Sequence, residues 1–173
     1  MEGSTKASFL VLPFDEMAAY DWTSIMLICI HGQKERELYG EILNCYIDNP
    51  VPFSSTADMM LKLDEICNLI GSPQLVTEPR FLNKELKEHY FARMKEQKKI
   101  PVKAKIQLRD STSIGLWASN AKEILLICVE YRYYSSFQGR IWGQRTLGKH
   151  ISFRSVLELM RMINEIVELG EEV

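Results

Sequence analysis

Cysteine and histidine are scarce in this chain, which has four cysteines and three histidines among its 173 residues. No two cysteines form a CxxC pair, and no histidine stands at the spacing that a zinc site needs. Cys29 and Cys128 lie inside isoleucine-rich runs, and Cys67 falls on the apolar face of an expected helix. A free thiol in such surroundings behaves as a small hydrophobic side chain. The sequence therefore predicts reduced thiols, no bound metal and a cytoplasmic location.

Long apolar runs are absent as well. No stretch approaches the roughly 20 residues that cross a bilayer as a helix, and the opening segment MEGSTKASF does not resemble a signal peptide. With 46% hydrophobic residues the composition matches an average globular protein, which excludes a disordered or low-complexity chain. We therefore expect a folded protein with no membrane span.

The sequence also lacks the motifs that position catalytic groups or cofactors. It has no phosphate loop of the GxGxxG or GxxxxGK[ST] type, no HExxH and no GxSxG. Its adjacent carboxylates, such as Asp64 and Glu65, fall on the expected polar face of a helix. Because an enzyme needs a converging set of perturbed groups, we predict a protein without catalytic, cofactor-binding or metal-binding residues.

What the sequence does contain is an internal repeat. At an offset of 99 residues the run SIMLICI aligns with EILLICV, and Gly40 aligns with Gly139. One inserted residue then changes the offset to 100, and FSSTADMM aligns with FRSVLELM. The order and spacing persist from residue 25 to 70 in the first copy and from 124 to 170 in the second. Such persistence indicates a duplicated structural unit.

Each copy predicts a strand hairpin followed by a helix. The isoleucine-rich runs suit strands that are buried on both faces. Ser55 and Ser155 are expected to begin helices through capping boxes, and Gly71 and Gly170 are expected to end them. The hairpin strands expected are residues 24–30 and 39–47 in the first copy and 123–130 and 138–146 in the second. A further strand should open each copy, at Phe9–Phe14 and Val102–Arg109.

The predicted architecture is α+β, with two pseudo-repeats of antiparallel strands and a packed amphipathic helix. The first repeat spans 1–71, an inserted loop and basic helix span 72–101, and the second repeat spans 102–173. Because modules this small bury a low fraction of their surface, we expect them to dock into one pseudo-twofold body. The methionine-rich helix faces, which include Met59 and Met60, are either core or a groove for a partner helix.

Charge is distributed unevenly along the chain. Residues 1–78 contain 4 basic and 12 acidic residues, residues 79–105 contain 9 and 3, and the remainder contains 8 of each. The formal net charge of −2 therefore conceals an acidic first half beside a basic insert. Within the insert, Asn83 is expected to cap a helix that runs to about Lys99 and stops at Pro101.

The hairpin expected in the second repeat combines arginines with aromatic side chains, and no acidic residue occurs between 131 and 157. This combination occurs where proteins stack bases and contact phosphates. It also occurs at protein interfaces and on solvated hairpins whose aromatics pack across strands, and all three interpretations stay open. The candidate partner-binding residues are Lys84, Lys87, Arg93, Lys95, Lys98, Lys99, Arg132, Tyr134, Arg140, Trp142 and Arg145.

Residues 124–170 resemble a module of short bacterial proteins from anaerobic gut species, and residues 25–70 resemble it more weakly. In that module a strand of the form QGxIxW precedes SFRSxxELMxxI. The matching positions are Gln138, Gly139, Ile141, Ser152, Phe153, Arg154, Ser155, Glu158, Leu159 and Met160. The resemblance implies no catalytic residue, and it places the chain beside small mobile-element proteins that often inhibit a host nucleoprotein.

We therefore predict a non-enzymatic protein that binds a protein or nucleoprotein target, with an inhibitor of the anti-CRISPR type implied by the resemblance. The acidic first half would face a basic nucleic-acid channel of the target, where charge complementarity guides the encounter. The alternative is direct binding of nucleic acid through the basic insert helix and the aromatic–arginine hairpin. That binding would be strongly salt-dependent, because each neutralised phosphate releases counterions.

Overall fold

The computed structural model describes residues 24–44, 46–47, 49–75, 77–96, 119–147 and 149–168. Over these residues the predicted α+β class is confirmed, with one six-stranded antiparallel sheet and three α-helices. The strands are β1 (Ile25–Lys34), β2 (Glu37–Leu43), β3 (Val51–Phe53), β4 (Glu123–Tyr131), β5 (Gln138–Gly143) and β6 (Ile151–Phe153). The helices are α1 (Thr56–Ile70), α2 (Lys84–Glu96) and α3 (Val156–Glu168). The strands expected at 9–14 and 102–109, together with Gly170, lie outside the described residues.

The strands are ordered β3-β2-β1-β4-β5-β6, so β1 and β4 form the centre of the sheet. Both are buried on two faces, as their isoleucine-rich runs predicted. Met26, Ile28 and Ile127 pack on one face in a core that also contains Leu63 of α1 and Ile163 of α3. The opposite face carries a second buried cluster around Ile25, Leu27, Leu126 and Trp142.

The described cysteines are free thiols and belong to this interior. Burial raises the pKa of Cys29 and the pKa of Cys67 to about 12, so both thiols are neutral at ordinary pH. The interpretation of Cys29, Cys67 and Cys128 as apolar core side chains is confirmed by their burial. Cys45 lies outside the described residues.

Two short edge strands complete the sheet, and the sequence did not predict them. β3 pairs with β2 and places Phe53 opposite Gly40, while β6 pairs with β5 and places Phe153 opposite Gly139. Three residues are too few to show the apolar–polar alternation that marks a longer strand. The hairpins themselves, β1–β2 and β4–β5, are antiparallel as predicted.

The helices α1 and α3 begin at the predicted serines, but the reciprocal hydrogen bond of the predicted capping box comes from the residue before each serine. Ser55 Oγ accepts a hydrogen bond from the N–H of Asp58 at 3.0 Å, and Ser155 Oγ accepts one from Glu158 at 3.2 Å. In return, the Asp58 and Glu158 carboxylates accept backbone N–H groups near the helix starts, from Ser54 and Arg154. α1 ends as predicted, with Gly71 in the left-handed conformation at φ 70°.

These capping carboxylates predict a loss of stability in acid. Burial alone would raise the pKa of Asp58, but hydrogen bonds from Lys62 and the Ser54 N–H outweigh it and lower that pKa. The Arg154 backbone N–H lowers the pKa of Glu158. A carboxyl with a lowered folded-state pKa contributes stability above its unfolded pKa of about 4 and loses it as the pH falls through the folded value. We therefore expect the Tm to drop below pH ~4.

Thermal melts between about pH 7 and pH 2 measure this effect. The double variant Asp58→Asn, Glu158→Gln should start less stable at neutral pH and lose less on acidification. If the variant loses as much stability in acid as the native chain, the two carboxylates are not responsible.

Candidate functional site

Three exposed tyrosines lie at the end of β4 and on the turn that follows it, a segment that we call the tyrosine turn and define as residues 131–136. Tyr131 is 53% exposed, Tyr133 is 47% exposed and Tyr134 is 85% exposed. The rings of Tyr131 and Tyr133 lie 6.3 Å apart between centroids. The turn therefore presents three tyrosines together, of which Tyr134 alone is among the candidate residues predicted from the sequence.

The backbone of the tyrosine turn forms a tight hairpin turn. Tyr134 and Ser135 both have positive φ, and the Ser136 N–H donates to the Tyr133 carbonyl at 2.9 Å. Positive φ at both central residues is the signature of a type I′ hairpin turn, where Asn and Gly are preferred. The turn between β1 and β2 likewise has positive φ at both central residues, Glu35 and Arg36. The strained geometry thus belongs to both hairpins, and the tyrosines are particular to the second.

Arg132 requires a correction, because its sequence context predicts a partner-binding surface and it is only 1% exposed. Its Nη2 donates to Asp64 Oδ1 at 2.7 Å and to Asn68 Oδ1, and its Nη1 donates to the Pro73 carbonyl at 3.2 Å. Its Nε has no hydrogen-bond partner among the described residues. Arg132 therefore links the start of the tyrosine turn by hydrogen bonds to α1 and to the loop that follows α1.

The same polar network continues to helix α2. Asn68 Nδ2 donates to the Tyr90 hydroxyl at 3.2 Å, and Arg93 Nη2 donates to Glu65 Oε1 at 3.2 Å. The Arg93 guanidinium also lies over the Tyr90 ring, 5.9 Å from its centroid. Burial raises the pKa of Tyr90, so its hydroxyl remains protonated. Asn83 caps α2 as predicted, because its Oδ1 accepts the Leu86 N–H at 2.9 Å.

Several predicted cations of the hairpin and the insert are paired with carboxylates. Arg140 Nε lies 3.1 Å from Glu130 Oε1, and Arg145 Nε lies 3.7 Å from Glu123 Oε2. The remaining ion pairs of the candidate residues are Lys84–Glu88, Lys87–Glu78 and Arg93–Glu65. Arg140 and Arg145 of the acid-free segment 131–157 are therefore paired with glutamates that precede this segment in sequence and lie beside it in the fold.

The other candidate residues are dispersed. Trp142 requires a second correction, because it is almost fully buried in the cluster on the second sheet face, with its ring 5.7 Å from that of His150. Lys95 is exposed on α2, while Lys98 and Lys99 lie outside the described residues. Met59 and Met60 are buried in the core, so they do not form a groove for a partner helix.

Among the helices that the structure describes, none combines the length and the apolar character that crossing a bilayer requires. Within the same residues no three histidine, cysteine, aspartate or glutamate side chains are grouped as metal ligands. Comparison with protein-family models, with curated proteins and with solved structures finds no significant match to this chain.

Proposed function

We propose that the chain is a non-enzymatic protein-binding module whose tyrosine turn contacts the partner. The observation that carries this proposal is the exposure of Tyr131, Tyr133 and Tyr134 on one hairpin turn. Tyrosine supplies a large contact area at a low cost in conformational entropy, and it is enriched at protein interfaces. Arg140 of the adjoining strand β5 and Arg145, at the opposite end of the hairpin, are paired with glutamates, which suits a protein surface better than a phosphate backbone.

The target class we propose is a protein component of a host nucleoprotein, which binding would inhibit. The acidic residues of the first half suit a basic surface that otherwise holds nucleic acid, because complementary charge accelerates encounter and favours the correct partner. Direct binding of nucleic acid is the competing proposal, and exposed cations of α2 such as Lys84 and Lys95 are the groups that would serve it.

We also propose that the two halves are copies of one unit, with residues 72–101 inserted between them. Two correspondences between the halves support this. Gly40 faces Phe53 as Gly139 faces Phe153. A β-bulge follows Ile30 in β1 as one follows Val129 in β4. Similar local sequences should adopt similar local structures. A duplication would therefore place the aligned residues of the two halves at equivalent positions in their strand pairs, as these residues are.

Under this proposal the copies have diverged at the turn. Where the second copy has Arg132, the first has Gln33, whose side chain is exposed. Where the second has Tyr134, the first has Glu35. Asp64 binds Arg132, whereas its aligned residue Asn164 accepts a hydrogen bond from Thr56 at 3.1 Å. The second copy therefore gained both the tyrosines and the buried arginine that anchors them.

Matched turn variants test the proposed function. Tyr134→Asn and Glu35→Asn both place a residue suited to positive φ at the same turn position, so each should raise the free energy of unfolding by about 1 kcal/mol. We expect Tyr134→Asn alone to weaken partner binding, by at least about tenfold if the tyrosine is a central contact. The measurements are urea unfolding, affinity capture from the native host and a titration of the captured protein.

Two results would contradict the proposal. One is the absence of any stoichiometric partner in the capture experiment, and the other is equal affinity of the two turn variants for the captured protein. Fluorescence anisotropy with a labelled oligonucleotide at about 50 and 200 mM salt tests the competing proposal, since phosphate contacts must weaken steeply with salt.

A further inference from the structure

The outermost strands of the described sheet, β3 and β6, differ at their middle residue. In β3 that residue is Pro52, which lies opposite Glu41, and in β6 it is Ser152, which lies opposite Arg140. Proline has no N–H and cannot form the reciprocal pair of hydrogen bonds with a residue opposite it. The Glu41–Pro52 pair is therefore the non-hydrogen-bonded kind, in which the backbone groups of Pro52 point away from β2.

The β3 edge is closed to a further strand in two ways. Pro52 offers no N–H to a neighbour, and proline on an edge strand is a known protection against unwanted pairing. Its carbonyl is also occupied, because Lys62 Nζ donates to it while pairing with Asp58 at 2.7 Å. The contact with Lys62 agrees with a carbonyl that faces outward from the sheet.

At the β6 edge the corresponding residues leave the backbone accessible. By the same register, the N–H and the carbonyl of Ser152 point away from β5. The residue aligned with Lys62 is Met162, whose side chain cannot donate a hydrogen bond. Ile151 and Ser152 are exposed, and outside the sheet ladder no described residue hydrogen-bonds to Ser152.

The charges around β6 select the kind of strand that can add there. Lys149 and Arg154 flank the strand and are exposed, and residues 149–154 contain no acidic side chain. Arg154 lies 3.6 Å from Glu158 but is 84% exposed, so solvent screens that pair and leaves the guanidinium accessible. Two β6 strands paired about Ser152 would bring Lys149 of one copy near Arg154 of the other, which is unfavourable.

We infer that the β6 edge binds an extended acidic segment of a partner protein, which adds to the sheet as a further antiparallel strand. Main-chain hydrogen bonds to Ser152 supply the docking, and Lys149 and Arg154 select for acidic residues at the ends of the segment. The inference rests on the proposed protein-binding function and specifies the conformation and charge of the segment that is bound.

A peptide titration of the full chain tests this inference. The probe is a fluorescein-labelled peptide, Glu-Val-Thr-Val-Thr-Glu, and its control is the same peptide with lysine at both ends. We expect the acidic peptide to bind at least about tenfold more tightly than the lysine peptide. Ser152→Pro should weaken acidic-peptide binding by at least about tenfold, because it removes the outward N–H.

Variants copied from the opposite edge provide the controls. Ser152→Pro introduces the residue that β3 has at the aligned position, and Met162→Lys introduces the lysine that covers the carbonyl there. Ser152→Pro should melt near the native temperature, whereas Met162→Lys should melt somewhat lower because Met162 packs against the core. Both variants should weaken binding of the acidic peptide. Pro52→Ser should leave the affinity unchanged, because Lys62 still occupies the outward carbonyl of that edge.

Three outcomes would overturn the inference: equal binding of the two peptides, unchanged affinity in Ser152→Pro, or a dimer of the native chain that Ser152→Pro abolishes. The last would identify a second copy as the occupant. The proposed function fails separately, through Tyr134→Asn. If the captured partner no longer binds Tyr134→Asn but still binds Ser152→Pro, the proposed function is supported and the binding site at the β6 edge is excluded.

Discussion

Replacing Gly40 or Gly139 with alanine is expected to prevent folding, or to lower the free energy of unfolding by at least about 4 kcal/mol. A Cβ at Gly40 would lie 2.0 Å from the Cys29 carbonyl oxygen and 2.9 Å from Phe53 Cζ. A Cβ at Gly139 would meet Cys128 and Phe153 at the same two distances. Because the nearer atom is backbone in the middle of a sheet, relief requires the strands to separate. Far-UV circular dichroism and urea unfolding measure the loss.

Gly32→Ala is the matched control for steric conflict. The nearest atoms to a Cβ there belong to the Tyr39 ring, at 3.1 to 3.4 Å, and that side chain can shift. We expect this variant to stay within about 1 kcal/mol of the native chain. The interpretation would be wrong if Gly40→Ala or Gly139→Ala unfolded at the same urea concentration as Gly32→Ala.

Arg132→Ala is expected to lower the free energy of unfolding by about 3 kcal/mol. The substitution removes the hydrogen bonds to Asp64, Asn68 and Pro73 and leaves a void where a fully buried side chain packed. This expected loss of stability is at the low end of the range for breaking a buried ion pair, because the Asp64 side chain is 43% exposed and can be solvated once Arg132 is removed. Urea unfolding measures the change.

Gln33→Ala is the matched control at the aligned position of the first hairpin. Gln33 is exposed, so its truncation should change the stability by no more than about 0.5 kcal/mol. Arg132→Lys should not restore stability, because an ammonium cannot reproduce the planar fork of a guanidinium toward several acceptors. In Arg132→Ala the amides of α2 should also exchange faster with solvent, since Asn68 links Arg132 to Tyr90. Equal unfolding midpoints for Arg132→Ala and Gln33→Ala would contradict this account.

Most secondary-structure elements could be predicted because their signals are local. The composition of the runs around Ile28 and Ile127 is enough to predict buried strands. Ser55 and Ser155 predict helix starts because an acidic residue follows each of them three positions later. Asn83 did the same for α2. These signals require no knowledge of which strand lies beside which.

The candidate site could be predicted only in part, because its electrostatics depend on strand register. Arg132 appeared to be an exposed cation, since its partners Asp64 and Asn68 precede it by more than sixty residues. Counting charges along the sequence likewise does not reveal the Arg140–Glu130 ion pair, which forms between the two strands of a hairpin. An i, i+4 pair of polar residues on α1, Asp64 and Asn68, was the only local sign that a buried cation would need acceptors there.

The pairing of β1 with β4 has an evolutionary consequence under the proposed duplication. Leu27 lies opposite Leu126, which is its own aligned counterpart, so the central pairing is self-complementary. A single ancestral copy would have formed this contact with an identical chain, as an isologous homodimer interface. Joining the two copies made that association intramolecular and therefore independent of concentration. It also allowed the two halves to diverge in sequence, since the two chains of a homodimer are identical and cannot have tyrosines on one turn and Glu35 on the other.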